Sequence, residues 1–270
     1  MANGLHENMV EDAQARWPTG VRYSICTMVT RSEQYAGMLD SFRARGFAAS
    51  DCEFLKVDNT RGNSLDAYQS CNLFLSVARG DYIIICHQDI VLIEDGRARL
   101  DELIAELDHK DSDWALLGNS GCMAPGRHAV RISDPHGENQ HAESLPARVF
   151  SLDENFILVR RDANLCVSHD LAGFHLYGAD LCVMADVGGR TAYVVDFHLR
   201  HLSGGTNDAS LVRSRSEFIR KYARAFRARW IMTPSVMLSV SGIAALSSLM
   251  ASRLGAFGPN RLGRLVSGRN

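Results

Sequence analysis

The chain has 270 residues, a formal net charge of -2, 46% apolar residues and 22% charged residues. These values are ordinary for a soluble globular protein, and the length allows one large domain or one domain with an extension. The near-neutral charge, and the absence of a basic tract interleaved with aromatic residues in the first two-thirds, argue against nucleic acid as the main partner.

The cysteines and the amino terminus indicate a cytoplasmic location. The seven cysteines are scattered without a CxxC pair, and several lie in apolar runs. They predict buried thiols in a reducing compartment, neither a disulfide framework nor a zinc site. Residues 1–20 are polar and acidic and lack the features of a signal peptide, and no uninterrupted apolar stretch reaches membrane-spanning length.

The first part of the chain alternates predicted strands and helices. Strands are predicted at 21–29, 52–57, 81–86 and 113–117, and helices at 33–45, from a cap at Asn63 or Ser64 to 78, and at 97–107. This β-α-β-α-β-α-β order implies a largely parallel, doubly wound half.

The pattern changes after Gly118. Residues 119–147 are rich in Gly, Pro, His and Asn without a clear period, which predicts a long functional or mobile loop that would close over a ligand and exclude water. Beyond it the sequence predicts strands at 148–152, 155–159 and 191–199, and helices at 176–187, 211–230 and 235–254.

Polar side chains follow two of the predicted parallel strands. The apolar run at 81–86 ends abruptly in His87-Gln88-Asp89, and the second strand ends in Asp58-Asn59. Open α/β sheets bind ligands at the carboxyl edge, so Asp89 is a candidate ligand for a divalent cation carrying a phosphorylated substrate. Asp58 is a candidate for accepting hydrogen bonds from a base or ribose. Turn formation is the alternative for either aspartate.

Two further positions are candidates for chemistry. His201 follows a strand beside a Gly-Gly loop, where a neutral imidazole would bind a transition metal, although His198 competes and a structural role stays open. Asp180 lies near the start of a predicted helix, as a general base or as an acid favoured by the helix dipole. Nearby, His175 and Tyr177 would line an acceptor pocket or merely pack, and His175 is an alternative base.

The segment 211–230 carries seven basic residues and one acid, Glu217. A solvated helix face is one interpretation, and contact with anionic lipid or a lipid-linked diphosphate is the other. The small-residue apolar segment 235–254 fits peripheral membrane contact through 211–254, or a contact between copies of the chain in a homo-oligomer.

In this order, the motifs resemble those of inverting glycosyltransferases of the family 2 type with the GT-A fold. More narrowly, they resemble a bacterial branch related to streptomycin-biosynthesis-type glycosyltransferase-like proteins. The resemblance spans roughly residues 21–230. It rests on SICTMVTR in the first strand, VDN (57–59), NSLDAYQSCN (63–72), ARGDY (78–82), HQDI (87–90), LDENFILVRRD (152–162), GFHLYGADLC (173–182) and RHLSGGT (200–206).

The resemblance implies a mostly parallel α/β sheet flanked by helices, with a C-terminal helical extension. It implies a 1–20 extension, a 21–230 domain with a nucleotide-binding half (21–118) and an acceptor-binding half (119–210), and a helical extension at 231–270. Nucleotide contacts are expected from Thr27, Val29, Arg31, Asp58, Asn59, Asn63 and Gln88. Metal contacts are expected from Asp89 and His201, catalysis from Asp180, and acceptor or secondary contacts from His87, Asp153, His175 and Tyr177. His87 stands where the family has the first Asp of its Asp-x-Asp motif.

The implied activity is Mn²⁺- or Mg²⁺-dependent transfer of a sugar, with inversion, from a nucleoside-diphosphate sugar to a saccharide or lipid-linked hydroxyl acceptor. The setting would be bacterial surface polysaccharide or glycoconjugate biosynthesis, in the cytoplasm or at the inner face of the membrane. A sugar-nucleotide pyrophosphorylase is disfavoured because no Gly-rich basic loop follows the first strand. A non-catalytic nucleotide-sugar-binding scaffold stays open, and a short-chain dehydrogenase is disfavoured by the absence of GxGxxG after that strand.

Overall fold

The computed structural model describes residues 20–48, 50–205, 209–232 and 237–243. The chain divides after Ser214 into two units. The first unit contains two mixed sheets and the cavity described below, and the second contains most of the last helix and a β-hairpin.

The described residues form five α-helices and fifteen strands. The helices are α1 (Ser32–Ala44), α2 (Ala67–Val77), α3 (Arg97–Lys110), α4 (Tyr177–Val187) and α5 (Ala209–Ala225). The first eight strands are β1 (Tyr23–Val29), β2 (Cys52–Asp58), β3 (Tyr82–His87), β4 (Ile90–Leu92), β5 (Trp114–Gly118), β6 (Ser120–Ala124), β7 (Arg127–Asp134) and β8 (Gly137–Ala142). The others are β9 (Ala147–Val149), β10 (Ser151–Leu152), β11 (Phe156–Arg160), β12 (Thr191–Val194), β13 (Leu199–His201), β14 (Arg229–Met232) and β15 (Met237–Val240).

The larger sheet has seven strands in the order β2-β1-β3-β11-β5-β12-β9. Strand β1 pairs in parallel with both β2 and β3, and β5 pairs in parallel with β12. Strand β11 runs antiparallel to both β3 and β5, so the four sheet strands formed by the first 118 residues point the same way. The parallel, doubly wound arrangement predicted for this half is confirmed.

The smaller sheet joins two distant parts of the chain. Its order is β10-β6-β7-β13-β4, and β8 also pairs with β7 outside this order. Strand β4 follows β3 after a two-residue turn and pairs antiparallel with β13, which places Ile90 opposite His201. The residue before Ile90 is Asp89, so this pairing brings the predicted carboxylate and the predicted imidazole together.

The core lies against the larger sheet and contains large side chains that are completely buried. Tyr23, Phe42 and Phe47 pack against one another with ring centroids 5.3 Å apart in two pairs, and Trp114 stacks on Tyr82. Burying side chains of this size stabilises the fold by about 1.5–3 kcal/mol each before the entropy cost of ordering them. Tyr23, Tyr82 and Trp114 are the first residues of β1, β3 and β5, so this packing fixes the amino ends of the parallel strands.

Residues 119–147 do not form the long loop that the composition predicts. They contain β6, β7, β8 and the start of β9, so the proposed closing loop is corrected to a sheet. The reason lies in the pairing: β7 has partners on both sides, which satisfies its backbone although its sequence shows little apolar alternation. The closing function assigned to a mobile loop has no basis in this part of the fold.

Several predicted boundaries also need correction. Helix α2 is capped by Asp66, in a reciprocal capping box with Gln69, and not by Asn63 or Ser64. The strand predicted at 191–199 is interrupted, because β12 ends at Val194 and β13 begins at Leu199.

The end of the predicted basic helix is wrong as well. Helix α5 ends at Ala225, and Trp230 belongs to β14, which pairs antiparallel with β15. Residues 237–240 are therefore a strand and not part of a 235–254 helix; residues 235–236 and 244–254 lie outside the described residues. The helical period of the sequence continues past Ala225, but pairing with β15 determines the backbone there.

Candidate functional site

The ends of three neighbouring strands meet at one edge of the larger sheet. In register, Asp58 of β2 lies opposite Val29 of β1, and His87 of β3 lies opposite Met28. The two polar strand ends recognised in the sequence are thus brought to one edge, on either side of the chain leaving β1. This is the edge where open α/β sheets bind ligands.

Gln88 fixes the backbone between these strands. Its side-chain oxygen accepts hydrogen bonds of 2.8 Å from the N–H groups of Thr30 and Arg31, and its amide nitrogen donates to the Thr30 hydroxyl. The predicted role of Gln88 as a nucleotide contact stays a prediction, but its present partners show that it ties the end of β1 to the turn that carries Asp89.

His87, Asp89 and His201 form a cluster in which each residue offers one ligand atom within 4.8 Å of the others. Nε2 of His201 lies 3.3 Å from Oδ1 of Asp89, 3.3 Å from Nδ1 of His87 and 3.2 Å from the hydroxyl of Ser203. Nδ1 of His87 lies 4.0 Å from the same oxygen of Asp89. Four polar atoms from two sheet strands and the loop after β13 therefore converge on one point.

The electrostatics of the cluster favour charged Asp89 and neutral His87. Burial alone would raise the pKa of Asp89, but its hydrogen bond and attraction to His201 lower the pKa to about 2. Burial, and then the nearby His201, lower the pKa of His87 below its usual value. A carboxylate and a neutral imidazole are the protonation states that bind divalent metals.

The spacing of the cluster fits a single divalent cation. Two ligands about 2.1 Å from one ion are about 3 Å apart at right angles, and further apart at wider angles. The observed separations of 3.3, 3.3 and 4.0 Å lie in that range. A mixed nitrogen and oxygen donor set suits Mn²⁺ well. The residues present therefore fit the implied metal.

A cavity of about 750 Å³ opens at the cluster. Besides the cluster itself, residues from the ends of β1, β3, β7, β10 and β13 and from the start of α4 surround it. Its polar lining beyond the cluster includes Thr30, Gln88, Ser120, Asp134, His136, Gln140, Asp153, Glu154, Asn155, His175, Tyr177 and Ser203. The volume is that of a pocket for a ligand of nucleotide-sugar size.

Glu154 is the carboxylate in this cavity with the most unusual environment. Burial, reinforced by the charge of Asp153, raises the pKa of Glu154 to about 7, against the opposing effect of the N–H groups of Gly178 and Leu176. The N–H of Gly178 lies 3.4 Å from Oε1 of Glu154, so the carboxyl group lies at the amino end of α4. A carboxylate that titrates near neutrality inside a pocket is suited to move a proton.

The backbone at the start of α4 is shaped around Glu154. A side chain at Gly178 would approach the carbonyl oxygen of Leu152 to 2.5 Å and Cγ of Glu154 to 3.2 Å, so only glycine fits. Leu176, one residue before the helix, adopts the left-handed conformation with φ 68°, which is rare for a non-glycine residue. Both features bring the helix terminus close to the carboxylate.

Asp180 lies in the first turn of α4, as the sequence predicts, but not at the cavity. It is fully buried, and its two oxygens accept hydrogen bonds of 2.7 and 2.8 Å from the N–H and hydroxyl of Ser168. It is absent from the cavity lining. Through Ser168 the carboxylate anchors α4 to the 164–168 segment, and its predicted role as the base stays a prediction.

The expected nucleotide contacts divide into two groups. Thr27 and Val29 are buried within β1, and Asn59 is buried in the turn after β2, where its side chain holds Ser64 and Leu65; none of these lines the cavity. The other expected contacts, apart from cavity-lining Gln88, are exposed: Arg31, Asp58 and Asn63.

Asp58 forms a local turn. Its side chain accepts hydrogen bonds from the N–H and hydroxyl of Thr60 and from Lys56, contacts that lower the pKa of its carboxyl group. The turn alternative considered for Asp58 is thus present in the structure, and its exposure leaves the predicted nucleotide contact as a prediction.

The residues expected near an acceptor are brought together. Tyr177 is 1% exposed, donates to the carbonyl oxygen of Glu154 at 3.2 Å and lies 3.3 Å from Nε2 of His87. His175 lines the cavity, with Nε2 2.9 Å from the hydroxyl of Ser210, and Asp153 lines it too. His198, the competitor of His201, is turned to Ser133 at 2.9 Å and lies outside the lining.

Some cavity residues had no sequence signal. Asp134, His136 and Gln140 lie in the stretch interpreted as a loop, and only the pairing of β7 with β13 brings them to the cavity. Glu154 belongs to the LDENFILVRRD motif (152–162), but the side chain predicted to contact the acceptor was its neighbour Asp153. Burial beside a second carboxylate is the property that distinguishes Glu154, and sequence alone does not display it.

No known family profile matches the chain. Among solved structures, mannosyltransferase PcManGT from Pyrobaculum calidifontis, in complex with GDP-Man and Mn²⁺, is 14% identical with a TM-score of 0.50 over 77% of this chain and 65% of that chain. S. aureus TarS 1–349 in complex with UDP-GlcNAc is 14% identical with a TM-score of 0.50 over 70% of this chain and 61% of that chain. These similarities concern the fold, and they confirm the GT-A fold class predicted from the sequence.

A protein relative is much more similar in sequence. The protein called ATP synthase subunits region ORF 6, from Fuscovulum blasticum, is 37% identical over 213 residues, which are 77% of this chain and 86% of that protein. With that identity and coverage, this GT-A-fold chain belongs to the same family as the Fuscovulum blasticum protein.

Proposed function

We propose that this protein is a metal-dependent inverting glycosyltransferase, which moves a sugar from a nucleoside-diphosphate sugar to a hydroxyl acceptor. One observation carries the proposal. The cluster of His87, Asp89 and His201 lies at the carboxyl edge of the parallel strands, in a cavity that also holds Glu154. A cation site and a proton acceptor in one pocket are the two elements that the reaction requires.

The fold supports a nucleotide-sugar donor. PcManGT was solved with GDP-Man and Mn²⁺, and TarS with UDP-GlcNAc. In this proposal residues 21–118 hold the nucleotide, with Arg31, Asp58, Asn63 and Gln88 as contacts, and residues 119–210 hold a saccharide or lipid-linked acceptor. The narrower streptomycin-type branch and a surface-glycoconjugate pathway are parts of the same proposal.

Asp89, His201 and His87 would hold Mn²⁺ or Mg²⁺. The cation, when bound, offsets the negative charge that develops on the departing diphosphate. Asp89 supplies the formal negative charge of the ligand set, and the hydroxyl of Ser203 lies beside it, 3.2 Å from Nε2 of His201.

We assign proton removal from the acceptor to Glu154. The acceptor oxygen forms a bond to the anomeric carbon while the bond from that carbon to the diphosphate oxygen breaks, and the electron pair leaves with the nucleoside diphosphate. The acceptor proton passes to Glu154. A single displacement of this kind inverts the anomeric centre, as it does with the carboxylate bases of inverting glycosidases.

Glu154 is suited to this step because its pKa of about 7 lets it accept a proton at neutral pH and release it again. Tyr177 links the two parts of the site, since its hydroxyl contacts both the Glu154 carbonyl oxygen and His87. Asp153, His175 and Tyr177 would border the acceptor.

A screen of sugar nucleotides tests the proposal without a known acceptor. The purified chain is incubated with UDP-, GDP- and dTDP-sugars and Mn²⁺, and released nucleoside diphosphate is measured. At least one donor is expected to be hydrolysed slowly, and chelation with EDTA should abolish the release. Asp89→Asn should reduce it to the background rate, because the variant lacks the charged ligand.

Two results would count against the proposal. Activity that survives exhaustive chelation would show that the reaction does not require a cation. Metal-independent nucleotide binding without any turnover would favour the scaffold alternative, and formation of a sugar nucleotide from a sugar phosphate and a nucleoside triphosphate would favour a pyrophosphorylase.

A further inference from the structure

The region after residue 208 differs from the rest of the described chain in the apolar side chains that it exposes. Eight of the fourteen exposed large apolar side chains of the described residues lie between Val212 and Ile243. The eight are Val212, Ile219, Phe226, Trp230, Ile231, Leu238, Val240 and Ile243. Clustering of this kind marks an interaction surface, whereas scattered single apolar residues are normal.

Three of these side chains form a seam along α5. Val212, Ile219 and Phe226 are spaced seven residues apart, which keeps them on one face of the helix and its immediate extension, and they are 67%, 57% and 55% exposed. The other aromatic residues of α5 pack along the helix: Phe218 contacts Tyr222, and Tyr222, which is 8% exposed, stacks on Phe226. Phe226 thus belongs both to this aromatic row and to the exposed apolar seam.

Basic residues border this seam. Arg213 and Arg220 each follow one seam residue at the same seven-residue spacing on α5, and Arg227 follows Phe226 just beyond the end of the helix. Between residues 209 and 243 there are seven basic residues and a single acid, Glu217. An exposed apolar stripe next to a cationic row is the pattern of a helix that lies in a membrane interface.

The hairpin that follows repeats the pattern on strands. Ile231 pairs with Leu238, and Arg229 pairs with Val240, so these side chains share one face of the two-stranded sheet, and the three apolar ones are 42–43% exposed. Trp230, which pairs with Ser239, lies on the opposite face of the hairpin and is 49% exposed. Arg229 shares the apolar face, and an arginine in that position reaches outward to headgroup phosphates.

We propose that α5 and the β14–β15 hairpin form a surface that docks this protein onto an anionic lipid bilayer. No helix among the described residues is long and apolar enough to cross a membrane. The proposed contact is a peripheral one. The seam enters the headgroup region, and the arginine row contacts lipid phosphates. This inference is independent of the chemistry proposed for the cavity.

Charge argues for lipid and against the other occupants. A second copy of the chain docked on this surface would bring two cationic rows together, which is unfavourable. Nucleic acid would attract the arginines, but phosphate contacts leave the apolar seam in water. An anionic bilayer satisfies both parts of the surface.

Vesicle flotation with the full chain tests the proposal. Binding is expected to vesicles containing phosphatidylglycerol and to be at least tenfold weaker with pure phosphatidylcholine. Arg220→Gln with Arg227→Gln should weaken binding by about twentyfold, because each basic residue near an anionic surface contributes roughly fivefold. Ile219→Ser with Phe226→Ser should abolish flotation.

The matched control is Val77→Ser with Val187→Ser, which removes two exposed apolar side chains at the ends of α2 and α4. This variant should float like the wild type. Ile231→Trp in a Trp230→Phe background supplies a second readout, because position 231 lies on the apolar face of the hairpin: its fluorescence should shift to the blue with anionic vesicles, and Trp230→Phe alone should show no such shift. Circular dichroism of each variant verifies that the fold is retained.

Three outcomes would overturn the proposal. The first is an absence of flotation with anionic vesicles at low salt. The second is equal flotation of the arginine double variant and the wild type. The third is a dimer in sedimentation that dissociates in Ile219→Ser with Phe226→Ser without any vesicle binding, which would assign the surface to a second copy.

Discussion

Two carboxylates at the beginning of helix α4 lie in opposite environments. Asp180 is fully buried, and Ser168 donates two hydrogen bonds to its oxygens. Glu154 borders the cavity, where burial and Asp153 raise its pKa to about 7. We propose that Asp180, whose hydrogen bonds are satisfied, stabilises the fold, and that Glu154, whose burial is poorly compensated, takes part in the chemistry. The presence of an acidic residue near the start of a helix does not distinguish a structural role from a catalytic one. Burial and hydrogen-bond partners distinguish them.

The largest effect expected from this comparison is on turnover. Glu154→Gln keeps the shape of the side chain but removes the proton acceptor, so kcat for sugar transfer should fall by about 10²–10⁴-fold. Asp180→Asn serves as the matched variant, and its kcat should stay within a few-fold of the wild type at a temperature where both are folded. Steady-state kinetics of the two variants would reverse our assignment if Asp180→Asn lost the turnover and Glu154→Gln kept it.

The pH dependence of kcat should also distinguish Glu154 from Asp180 as the base. Glu154 must be ionised to act as a base, and its pKa is raised to about 7, so kcat should rise with pH through that region. The residual activity of Glu154→Gln should lack this rise, while Asp180→Asn should keep it. A wild-type profile that is flat between about pH 5 and about pH 8 would exclude a base with this pKa.

Stability should respond to the two substitutions in opposite directions. In Asp180→Asn an amide NH₂ replaces one acceptor, which leaves a donor of Ser168 without its partner. The free energy of unfolding should fall by about 1–3 kcal/mol. Urea unfolding followed by circular dichroism measures this, and Ser168→Ala should give a smaller loss of about 1 kcal/mol. An unchanged midpoint in both variants would show that the pair does not anchor α4.

Glu154→Gln, in contrast, should raise the free energy of unfolding relative to the wild type above neutral pH. Its pKa is raised from 4.5 to about 7 in the folded state, so its contribution to stability is present below pH 4.5 and is lost as pH rises through about 7. Glutamine stays neutral and shows no such loss. Relative to the wild type, Glu154→Gln should therefore gain about 1–3 kcal/mol between about pH 5 and about pH 8, measured by unfolding in metal-free buffer. A constant difference across this range would mean that the carboxyl group titrates normally.

The sequence predicted the half of the molecule whose elements follow local rules. The β-branched run before His87 forms a strand buried in a parallel sheet, and the polar residues that end it lie at the ligand-binding edge. His201 was expected beside Asp89, and antiparallel pairing of β13 with β4 places it there at 3.3 Å.

The remaining features depend on distant contacts. Strand β7 has little apolar alternation, and its partners on both sides make it a strand, so Asp134 and His136 reach the cavity without a local signal. The residues left Asp180 open as a general base or as an acid favoured by the helix dipole, and the family resemblance implied the base. The burial of Asp180 depends on Ser168, twelve residues earlier, which no periodic pattern connects to it.

In the proposed mechanism Asp89 and His201 are the main ligands of a cation that binds together with a nucleoside diphosphate. Calorimetric titration of Mn²⁺ in the presence of UDP or GDP tests it most directly, with wild type, Asp89→Asn and Asp180→Asn compared at one pH. Wild type and Asp180→Asn are expected to have the same Mn²⁺ affinity, and the affinity of Asp89→Asn should be at least about tenfold weaker. Equal Mn²⁺ affinity in all three proteins would contradict the account.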